Sequence, residues 1–182
     1  MFTKFFTIGV SVALNIISAS ANPIARSTCT PNAQGAAVSI VSSASSAWEW
    51  SDLNTTPANE DVLYGAPVGG FAPPNFHLSQ DGQYPLASDV NNNLAATSSG
   101  GELIFTPTSA IGDQEYQLFN FTCRSCGTDT MPGQAAGLSC KIFPVGYLNA
   151  CIQISNTFYE PLGFADCNSL PPSPLQLFDI IF

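Results

Sequence analysis

Two stretches of the chain repeat three landmarks in the same order, and this internal repeat constrains the fold more than any single motif. The landmarks are an apolar residue, a leucine and a Gln-Leu-Phe tripeptide. The spacing from leucine to glutamine is 14 residues in both stretches, and the first spacing is nine in one and ten in the other. Chance explains one shared tripeptide but not three ordered landmarks, so we predict a repeat. The residues are Leu94, Leu103 and Gln117, then Ile152, Leu162 and Gln176.

A third and fainter copy precedes them. Val38 and Trp48 stand ten residues apart, and Phe76 takes the place of the Phe in the two tripeptides. Trp48 to Phe76 spans 28 residues where the other copies have 16, and we assign the extra length to a loop within Ser51 to Pro74. The predicted repeats cover roughly residues 29–80, 86–125 and 148–182.

Each copy is predicted to form short strands. VSIV, LAAT or IQIS is followed by turn residues and then by WEW, LIF or LGF, which is the pattern of a β-hairpin. A closing strand with Phe-x-apolar comes later, and both outer residues point to one side. Three hairpins around a pseudo-threefold axis can close a small barrel without free edges. We therefore predict an all-β barrel whose last strand is the C-terminal QLFDIIF, with Phe178 and Ile180 inside.

The N-terminus has the pattern of a secretory signal peptide. Lys4 precedes a mostly apolar run from Phe5 to Ile17, and Ala19-Ser20-Ala21 supplies small residues for cleavage. A membrane anchor is the alternative, but these 13 residues are short for a span, which needs about 20. We predict a signal peptide at residues 1–21 and one secreted, extracellular domain at residues 22–182, long enough for a single core.

The charge limits the partners. The chain has 13 acidic and four basic residues and a net charge of −9. Such a chain repels phosphate backbones and anionic lipid, so we expect no nucleic-acid partner and no membrane partner. Charged residues are only 9% of the chain, and the polarity comes mostly from residue types that favour turns and short strands.

The cysteines and sequons agree with export. All six cysteines follow the predicted signal peptide, and in an oxidising compartment an even number favours three disulfides. A zinc site at Cys123-x-x-Cys126 is the alternative, but secretion argues against it, and we predict no metal. Asn54-Thr55-Thr56 and Asn120-Phe121-Thr122 are possible N-glycosylation sites, Asn54 in a polar loop and Asn120 pointing outward on a strand.

The segment CIQISNTFYEPLGFADCNSLPPSPLQLFDI, residues 151–180, resembles one repeat of the ricin B-type β-trefoil family. That repeat opens with a Cys-apolar-x-apolar strand, continues to an apolar strand ending in a second Cys, and closes with Gln-x-Trp. Gln176-Leu177-Phe178 and Gln117-Leu118-Phe119 stand at Gln-x-Trp, with Phe in the aromatic place. The chain also resembles small secreted fungal proteins of this type. The resemblance implies a β-trefoil and a sugar-binding module.

The resemblance also bears on the disulfides. It implies a bond between Cys151 and Cys167, the within-repeat pair of the family. The other four cysteines form two more bonds, and the sequence leaves their pairing open among the 15 arrangements that six cysteines allow. Our working arrangement for them is Cys126–Cys140 and Cys29–Cys123.

The sugar ligands of that family are not matched. Its active repeats carry an acid two residues after the first Cys and a stacking aromatic just before the second. The acid falls on Gln153, Ala95 and Ser39, and the aromatic falls on Ala165, Thr106 and Ser51. The resemblance therefore implies the fold more strongly than the galactose site, and fold does not fix function.

No pattern indicates an enzyme or a cofactor. His77, the only histidine, lies between Phe76 and Leu78 on a predicted strand and points away from the core, which does not suit a Ser-His-Asp triad. A Gly-x-Ser-x-Gly elbow is absent from the sequence. Glu49, Asp52, Glu60 and Asp61 are close in sequence, and a solvated loop explains them without a glycosidase carboxylate pair.

Exposed aromatic side chains are the remaining candidates for a binding surface. Phe158 and Tyr159 fall at the tip of the third predicted hairpin, and Tyr116 precedes the middle tripeptide. A tyrosine can stack on a sugar ring and also hydrogen-bond, although these residues could instead pack over the open end of the barrel. The candidate ligand contacts are Tyr116, Gln117, Phe158, Tyr159 and Gln176.

Together these features predict a secreted, disulfide-bonded, non-catalytic β-trefoil that binds extracellular carbohydrate at a non-standard site. The alternative is a trefoil without lectin activity that binds protein, for instance as a protease inhibitor. The absence of the family's sugar ligands favours this alternative, as does the long first-copy loop from Ser51 to Pro74, which could enter a cleft.

Overall fold

The computed structural model describes residues 28–33, 35–54, 56–69, 76–78, 84–88, 91, 93–108, 114–128, 131–147, 149–169 and 172–182. The predicted signal peptide, residues 1–21, lies outside the described residues. The described chain contains β-strands and two single-turn 3-10 helices, Gln114–Tyr116 and Pro174–Gln176, and no α-helix. The strands are β1 (Ala37–Ser42), β2 (Trp48–Ser51), β3 (Tyr64–Pro67), β4 (Phe76–Leu78), β5 (Tyr84–Ser88), β6 (Leu94–Ser99), β7 (Glu102–Pro107), β8 (Leu118–Thr122), β9 (Ser125–Cys126), β10 (Ala135–Pro144), β11 (Ala150–Gln153), β12 (Gly163–Asp166) and β13 (Phe178–Ile181).

Six strands close into an antiparallel barrel. Their order around the barrel is β1, β4, β5, β8, β10 and β13, and β13 pairs again with β1. Strand β10 pairs with β8 through residues 141–144 and with β13 through residues 135–140. Because each of the six has a partner on both sides, the barrel satisfies the backbone of every member without a free edge.

Three hairpins complete the fold: β2–β3, β6–β7 and β11–β12. One leucine from each hairpin joins a cyclic set of backbone hydrogen bonds. The amide of Leu63 donates to the carbonyl of Leu103 at 2.8 Å, Leu103 donates to Leu162 at 3.2 Å, and Leu162 donates back to Leu63 at 2.8 Å. All three side chains are buried. This cycle, called the leucine ring below, places the three leucines at equivalent positions of the three repeats.

The core contains one fully buried phenylalanine from each closing strand: Phe76, Phe119 and Phe178. The Trp50 ring packs edge-on against Phe76 and Phe178, with centroids 6.0 and 5.3 Å away. Burying such a ring stabilises the fold by about 1.5–3 kcal/mol. The predicted place of Phe178 and Ile180 is confirmed, because both are fully buried on the last strand.

The structure confirms the all-β, disulfide-bonded β-trefoil. Each repeat holds two barrel strands on either side of one hairpin: β1–β4, β5–β8 and β10–β13. The hairpins predicted at LAAT/LIF and IQIS/LGF are present as β6–β7 and β11–β12.

The first repeat corrects one prediction. The leucine ring makes Leu63, and not Trp48, the equivalent of Leu103 and Leu162. VSIV belongs to the barrel strand β1, which pairs antiparallel with WEW on β2 through Val41 and Glu49 as predicted. WEW also pairs with β3 and so opens the hairpin β2–β3. The added length of this copy therefore lies inside the hairpin, at residues 52–63. The segment between the hairpin and the closing strand is not lengthened.

The three disulfides are Cys29–Cys126, Cys123–Cys140 and Cys151–Cys167. The pair implied by the family resemblance, Cys151–Cys167, is confirmed and spans the hairpin β11–β12. The working arrangement of the other four cysteines is wrong. Cys29 and Cys123 exchange backbone hydrogen bonds of 3.1 and 2.8 Å, but their sulfurs bond to Cys126 and Cys140. Because Cys123 and Cys126 are both oxidised, neither is a zinc ligand in this state.

Within the described residues, no helix has the length and the apolar character that crossing a bilayer requires.

Candidate functional site

Three aromatic rings from three different elements form a row on the surface, called the aromatic row below. Tyr116 ends the 3-10 turn before β8, Tyr147 follows β10, and Phe164 lies on β12. The centroids of Tyr116 and Tyr147 are 5.8 Å apart, and those of Tyr147 and Phe164 are 5.7 Å apart with the planes 26° from parallel. Tyr116 is 49% exposed, so the row presents aromatic surface to solvent.

A cleft of about 330 Å³ opens on the Tyr116 side of the row. We call it the Ser98 cleft. Most of its polar lining consists of hydroxyl groups that already belong to a network: Ser98 Oγ donates to the Tyr116 carbonyl at 3.1 Å, and the hydroxyls of Thr97 and Thr106 contact each other. The lining includes Thr97, Ser98, Ser99, Thr106, Tyr116 and Tyr147.

A second cleft, of about 300 Å³, opens at Phe164. We call it the Gln153 cleft, and its lining includes Gln153, Ser155, Asn156, Pro161, Phe164 and Leu175. Strand register shows that the two clefts are equivalent. Gln153 lies opposite Gly163, and Thr97 lies opposite Ile104. Gly163 and Ile104 each follow a leucine of the leucine ring, so Gln153 and Thr97 occupy the same position in their repeats.

The same register corrects the assignment of the family's sugar ligands. In the first hairpin Ser51 lies opposite Tyr64, the residue after Leu63. The position of the family's acid therefore falls on Gln153, Thr97 and Ser51, and not on Ala95 and Ser39. By the same reasoning the stacking aromatic falls on Ala66 in the first repeat and not on Ser51. The conclusion that neither family ligand is matched is unchanged, because none of these residues is acidic or aromatic.

Gln117 and Gln176, two of the predicted ligand contacts, face into the fold. Gln117 Nε2 donates to the hydroxyls of Thr97 and Thr106 at 3.1 and 2.8 Å and to the Pro107 carbonyl at 2.9 Å. Gln176 Nε2 donates to the Asp166 carbonyl at 3.1 Å. Gln117 is 5% exposed and Gln176 is 1% exposed. We therefore treat both as structural residues and retain Tyr116 as the candidate ligand contact of this region.

Phe158 and Tyr159, the other predicted contacts, lie in a separate surface group. The Phe158 ring stacks on Trp48 with centroids 4.0 Å apart, and Tyr159 is next to it at 6.3 Å. With the exposed Val68 they form what we call the hairpin-tip patch. The Tyr159 backbone has φ of +64° and donates to the Gly65 carbonyl at 2.8 Å. The tip of the third hairpin is thus fixed against the first.

The prediction that the clustered acids of the first hairpin form a solvated loop is wrong for two of them, because Glu49 and Asp52 are 3% and 2% exposed. Burial raises the pKa of Glu49, and a hydrogen bond from the Gly69 amide at 3.0 Å opposes this shift. Burial also raises the pKa of Asp52, whose Oδ2 has no hydrogen-bond partner. Glu60 is exposed. Among the described residues, no group of three or more His, Cys, Asp or Glu side chains is arranged to hold a metal ion.

The two sequons differ in accessibility. Asn54 is exposed and its Nδ2 donates to Asp61 Oδ2 at 3.0 Å. Asn120 is half-buried and points outward between the buried Phe119 and Phe121, as predicted. Glycosylation at either position stays a prediction.

Sequence reasoning missed Tyr147 and Phe164. Neither residue is one of the repeat landmarks. Phe164 belongs to the LGF motif, but that motif predicts it only as a strand residue. A repeat in a single sequence predicts which residues share a position, but it does not predict which residues of neighbouring repeats meet. The row became visible only when β10, β12 and the turn before β8 were placed together.

Two solved structures share this fold. No protein-family model and no curated protein matches the chain. The structure of a mosquitocidal holotoxin aligns with a TM-score of 0.62 and 13% identity, over 81% of this chain and 17% of the toxin chain. A designed threefold-symmetric protein, ThreeFoil, aligns with a TM-score of 0.57 and 12% identity, over 80% of this chain and 98% of its own. At these identities the likeness shows the fold alone.

Proposed function

We propose that this protein is a secreted, non-catalytic carbohydrate-binding protein whose site is the aromatic row together with the Ser98 and Gln153 clefts. The observation that carries the proposal is the row itself. Tyr116, Tyr147 and Phe164 run without interruption from one polar cleft to its equivalent in the next repeat.

The chemistry of the lining favours a sugar. The apolar face of a pyranose packs on an aromatic ring, while its hydroxyls need several short-range donors and acceptors. The Ser98 cleft offers serine and threonine hydroxyls, and the Gln153 cleft offers the amides of Gln153 and Asn156. Neither lining contains a charged side chain among the described residues, so a neutral sugar fits better than an acidic one.

Two clefts joined by a row of three aromatic rings, the first pair tilted by 60° and the second stacked, favour an extended glycan over a single sugar. A monosaccharide would fill one cleft and leave the row largely uncovered. An oligosaccharide could place successive sugar rings on Tyr116, Tyr147 and Phe164, and each contact would add to the binding free energy. Contacts on one linked ligand reinforce one another through their effective concentration, so we expect affinity to rise with glycan length.

The fold and its cross-links support this assignment without establishing it. The β-trefoil is shared with part of a mosquitocidal holotoxin, and the C-terminal repeat resembles the ricin B family. The three disulfides are consistent with an extracellular protein.

A glycan array with the secreted, oxidised domain tests the proposal. We expect binding to neutral oligosaccharides, lost in Tyr116→Ala and Tyr147→Ala and retained in Tyr159→Ala, which removes a comparably exposed tyrosine from the hairpin-tip patch. Each variant must first show a cooperative thermal melt. Silence of the folded wild type across a broad array would reject the carbohydrate proposal.

The second candidate function is protein binding at the hairpin-tip patch. The observation that favours it is exposed apolar surface: Phe158, Tyr159 and Val68 are 41%, 48% and 49% exposed. Aromatic residues of this kind are common anchors of protein interfaces. The first-hairpin loop, residues 52–63, is the element that we would expect to enter a protease cleft. Inhibition of a protease panel, abolished by Phe158→Ala and unaffected by Tyr147→Ala, would support this function over the first.

A further inference from the structure

The two basic side chains in the described part of this acidic protein lie together. The described part of the chain contains two Lys or Arg residues, Arg124 and Lys141, while the chain as a whole carries a net charge of −9. Both side chains line the same cleft. Two cations placed at random on this acidic protein would usually lie apart. Their position in the lining of one cavity therefore indicates that positive charge has a role there.

This cavity, called the cation cleft below, has a volume of about 460 Å³ and lies along β8, β10 and the start of β13. That volume falls within the range of small-molecule sites, roughly 300–1,000 Å³. The walls combine apolar and polar groups, with Leu177 and the Cys123 disulfide beside the hydroxyls of Thr122 and Ser139. It shares no lining residue with the Ser98 or Gln153 cleft.

Neither cation is neutralised by a carboxylate. Lys141 Nζ donates to the Cys167 carbonyl at 2.6 Å, a neutral contact that leaves two of its three donors for other partners. In the described residues neither Arg124 nor Lys141 forms an ion pair. Asp179 adjoins the cleft wall, where its Oδ1 accepts hydrogen bonds from the Ser139 amide at 2.8 Å and from the Ser43 hydroxyl at 2.6 Å.

Local charge decides what this cleft attracts. The net negative charge of the protein disfavours anions at long range, but salt screens exposed charges beyond about 10 Å. Within that distance lie the guanidinium of Arg124, the ammonium of Lys141 and the carboxylate of Asp179, whose Oδ1 already accepts two hydrogen bonds. These three described groups leave one excess positive charge at the cleft. Hydrogen bonds from a guanidinium or an ammonium to a carboxylate are about twice as strong as neutral ones. The apolar walls in turn favour a ligand whose remaining part is not hydrated.

The geometry points to the cation cleft as a second binding site, which takes a small carboxylate carried on an apolar body. The carboxylate lies between Arg124 and Lys141, and the apolar body packs against Leu177 and the Cys123–Cys140 disulfide. Aromatic acids and fatty acids share this chemistry. The inference does not rest on the carbohydrate proposal, because the two sites have no residue in common.

Binding of 1-naphthoate and of decanoate to the oxidised protein tests the inference by isothermal titration, with 1-naphthylmethanol as the neutral analogue. We expect at least one acid to bind and the alcohol to bind tenfold more weakly or not at all. Preference for naphthoate would indicate an aromatic acid, and preference for decanoate a fatty acid. Raising NaCl from 50 to 500 mM should weaken acid binding, since the cations are partly exposed.

Two variants assign the binding to the cleft. Arg124→Gln removes an exposed charge and leaves the backbone bond from the Arg124 amide to the Leu138 carbonyl, 3.0 Å long, in place. It should weaken the acid about tenfold, whereas Arg124→Lys should restore most of the affinity. Lys141→Met should also weaken acid binding. It breaks the hydrogen bond to the Cys167 carbonyl. If this variant does not fold for that reason, the affinity of Arg124→Gln alone tests the site.

Three outcomes would overturn the inference: no binding of either acid at millimolar concentration, equal binding of the neutral alcohol, or unchanged acid affinity in Arg124→Gln. Glycan binding is measured in parallel on the same samples. Because Arg124→Gln leaves the aromatic row intact, loss of acid binding with retained glycan binding separates the two proposals.

Discussion

Gln176 donates a hydrogen bond from Nε2 to the backbone carbonyl of Asp166, ten residues earlier, at 3.1 Å. Gln117 makes the same contact with Pro107, again ten residues earlier, at 2.9 Å. Each bond ties the closing strand of a repeat to the second strand of its hairpin. The glutamine of the Gln-Leu-Phe tripeptide therefore holds the repeat together, and the tripeptide repeats because the contact repeats.

Removal of the Gln117 side chain should cost stability. Gln117→Ala removes the donor to the Pro107 carbonyl and to the hydroxyls of the half-buried Thr97 and Thr106, so we expect a loss of about 1–3 kcal/mol in the free energy of unfolding. Urea denaturation measures it, with the exposed Gln134→Ala as the control. A loss of glycan affinity at unchanged stability would show that Gln117 is a ligand contact after all.

The middle ring of the aromatic row should matter most for glycan binding. Tyr147 contacts both other rings, so Tyr147→Ala interrupts the row, and we expect affinity for the array's best oligosaccharide to fall about tenfold or more, which is ~1.4 kcal/mol or more. Tyr147→Phe keeps the ring and should lose less. Titration calorimetry of the two variants gives the comparison, and equal affinities of Tyr147→Ala and wild type would contradict the assignment.

The disulfides should contribute unequally. Cys29–Cys126 closes a separation of 97 residues and Cys151–Cys167 a separation of 16. On loop-entropy arguments a bond closing a loop of this larger size stabilises by about 4.7 kcal/mol and one of the smaller size by about 3 kcal/mol. Paired Cys→Ser variants, denatured with guanidinium, should rank in that order. The reverse order would mean that residual structure in the unfolded chain outweighs loop length.

Gly137 should be intolerant of any side chain. A Cβ there would lie 2.7 Å from Cys123 Sγ and 2.8 Å from Cys140 Sγ, closer than atoms in contact allow. We expect Gly137→Ala to cost about 1–3 kcal/mol through displacement of this disulfide. Gly163→Ala is the matched control, because its Cβ would meet only the Gly101 carbonyl at 3.8 Å. Thermal melts of both variants give the comparison, and equal stability would show that the disulfide shifts freely.

The buried Glu49 should destabilise the fold at neutral pH. Burial raises its pKa in the folded state, so between the unfolded and the folded pKa the folded state binds more protons. The contribution of Glu49 to the free energy of unfolding is therefore largest at acid pH and falls as pH rises through the folded pKa. Glu49→Gln has no carboxyl group at this position, so it does not lose this stability as pH rises. The excess of its free energy of unfolding over that of wild type should therefore be greater at pH 7 than at pH 4.

Urea titrations at the two pH values measure this difference. The exposed Glu102→Gln, measured alongside, serves as the matched control for a Glu→Gln change. A Glu49→Gln variant whose advantage grows as pH falls would show that the carboxylate is stabilised in the fold.

Sequence reasoning succeeded where one local contact recurs. Leu103 with Leu162 and Gln117 with Gln176 were placed correctly because the members of each pair make equivalent hydrogen bonds, the leucines between repeats and the glutamines within one. It failed in the first repeat, where Trp48 has the spacing of a landmark but Leu63 makes the contact. Hairpin loops change length freely, so spacing alone does not identify equivalent residues once a loop has grown.

The site was less accessible to prediction than the fold. Tyr116 was identified because it is aromatic and adjoins a landmark. Tyr147 has no such neighbour, and it meets Tyr116 only through the packing of the third repeat on the second. The cysteine pairing failed for a related reason: Cys29 and Cys123 are backbone neighbours, and the direction of each side chain, which decides the bond, is set by the tertiary fold.

The leucine ring has a consequence for how the molecule opens. A ladder of hydrogen bonds can fray from its end, but a cycle of three has no terminal member, and breaking any bond removes a partner from two hairpins at once. Amide protons of Leu63, Leu103 and Leu162 should therefore exchange with solvent at one common rate, the rate of global opening. Three hairpins that differ in sequence would then behave as one kinetic unit, and no repeat cut from the chain would keep its shape alone.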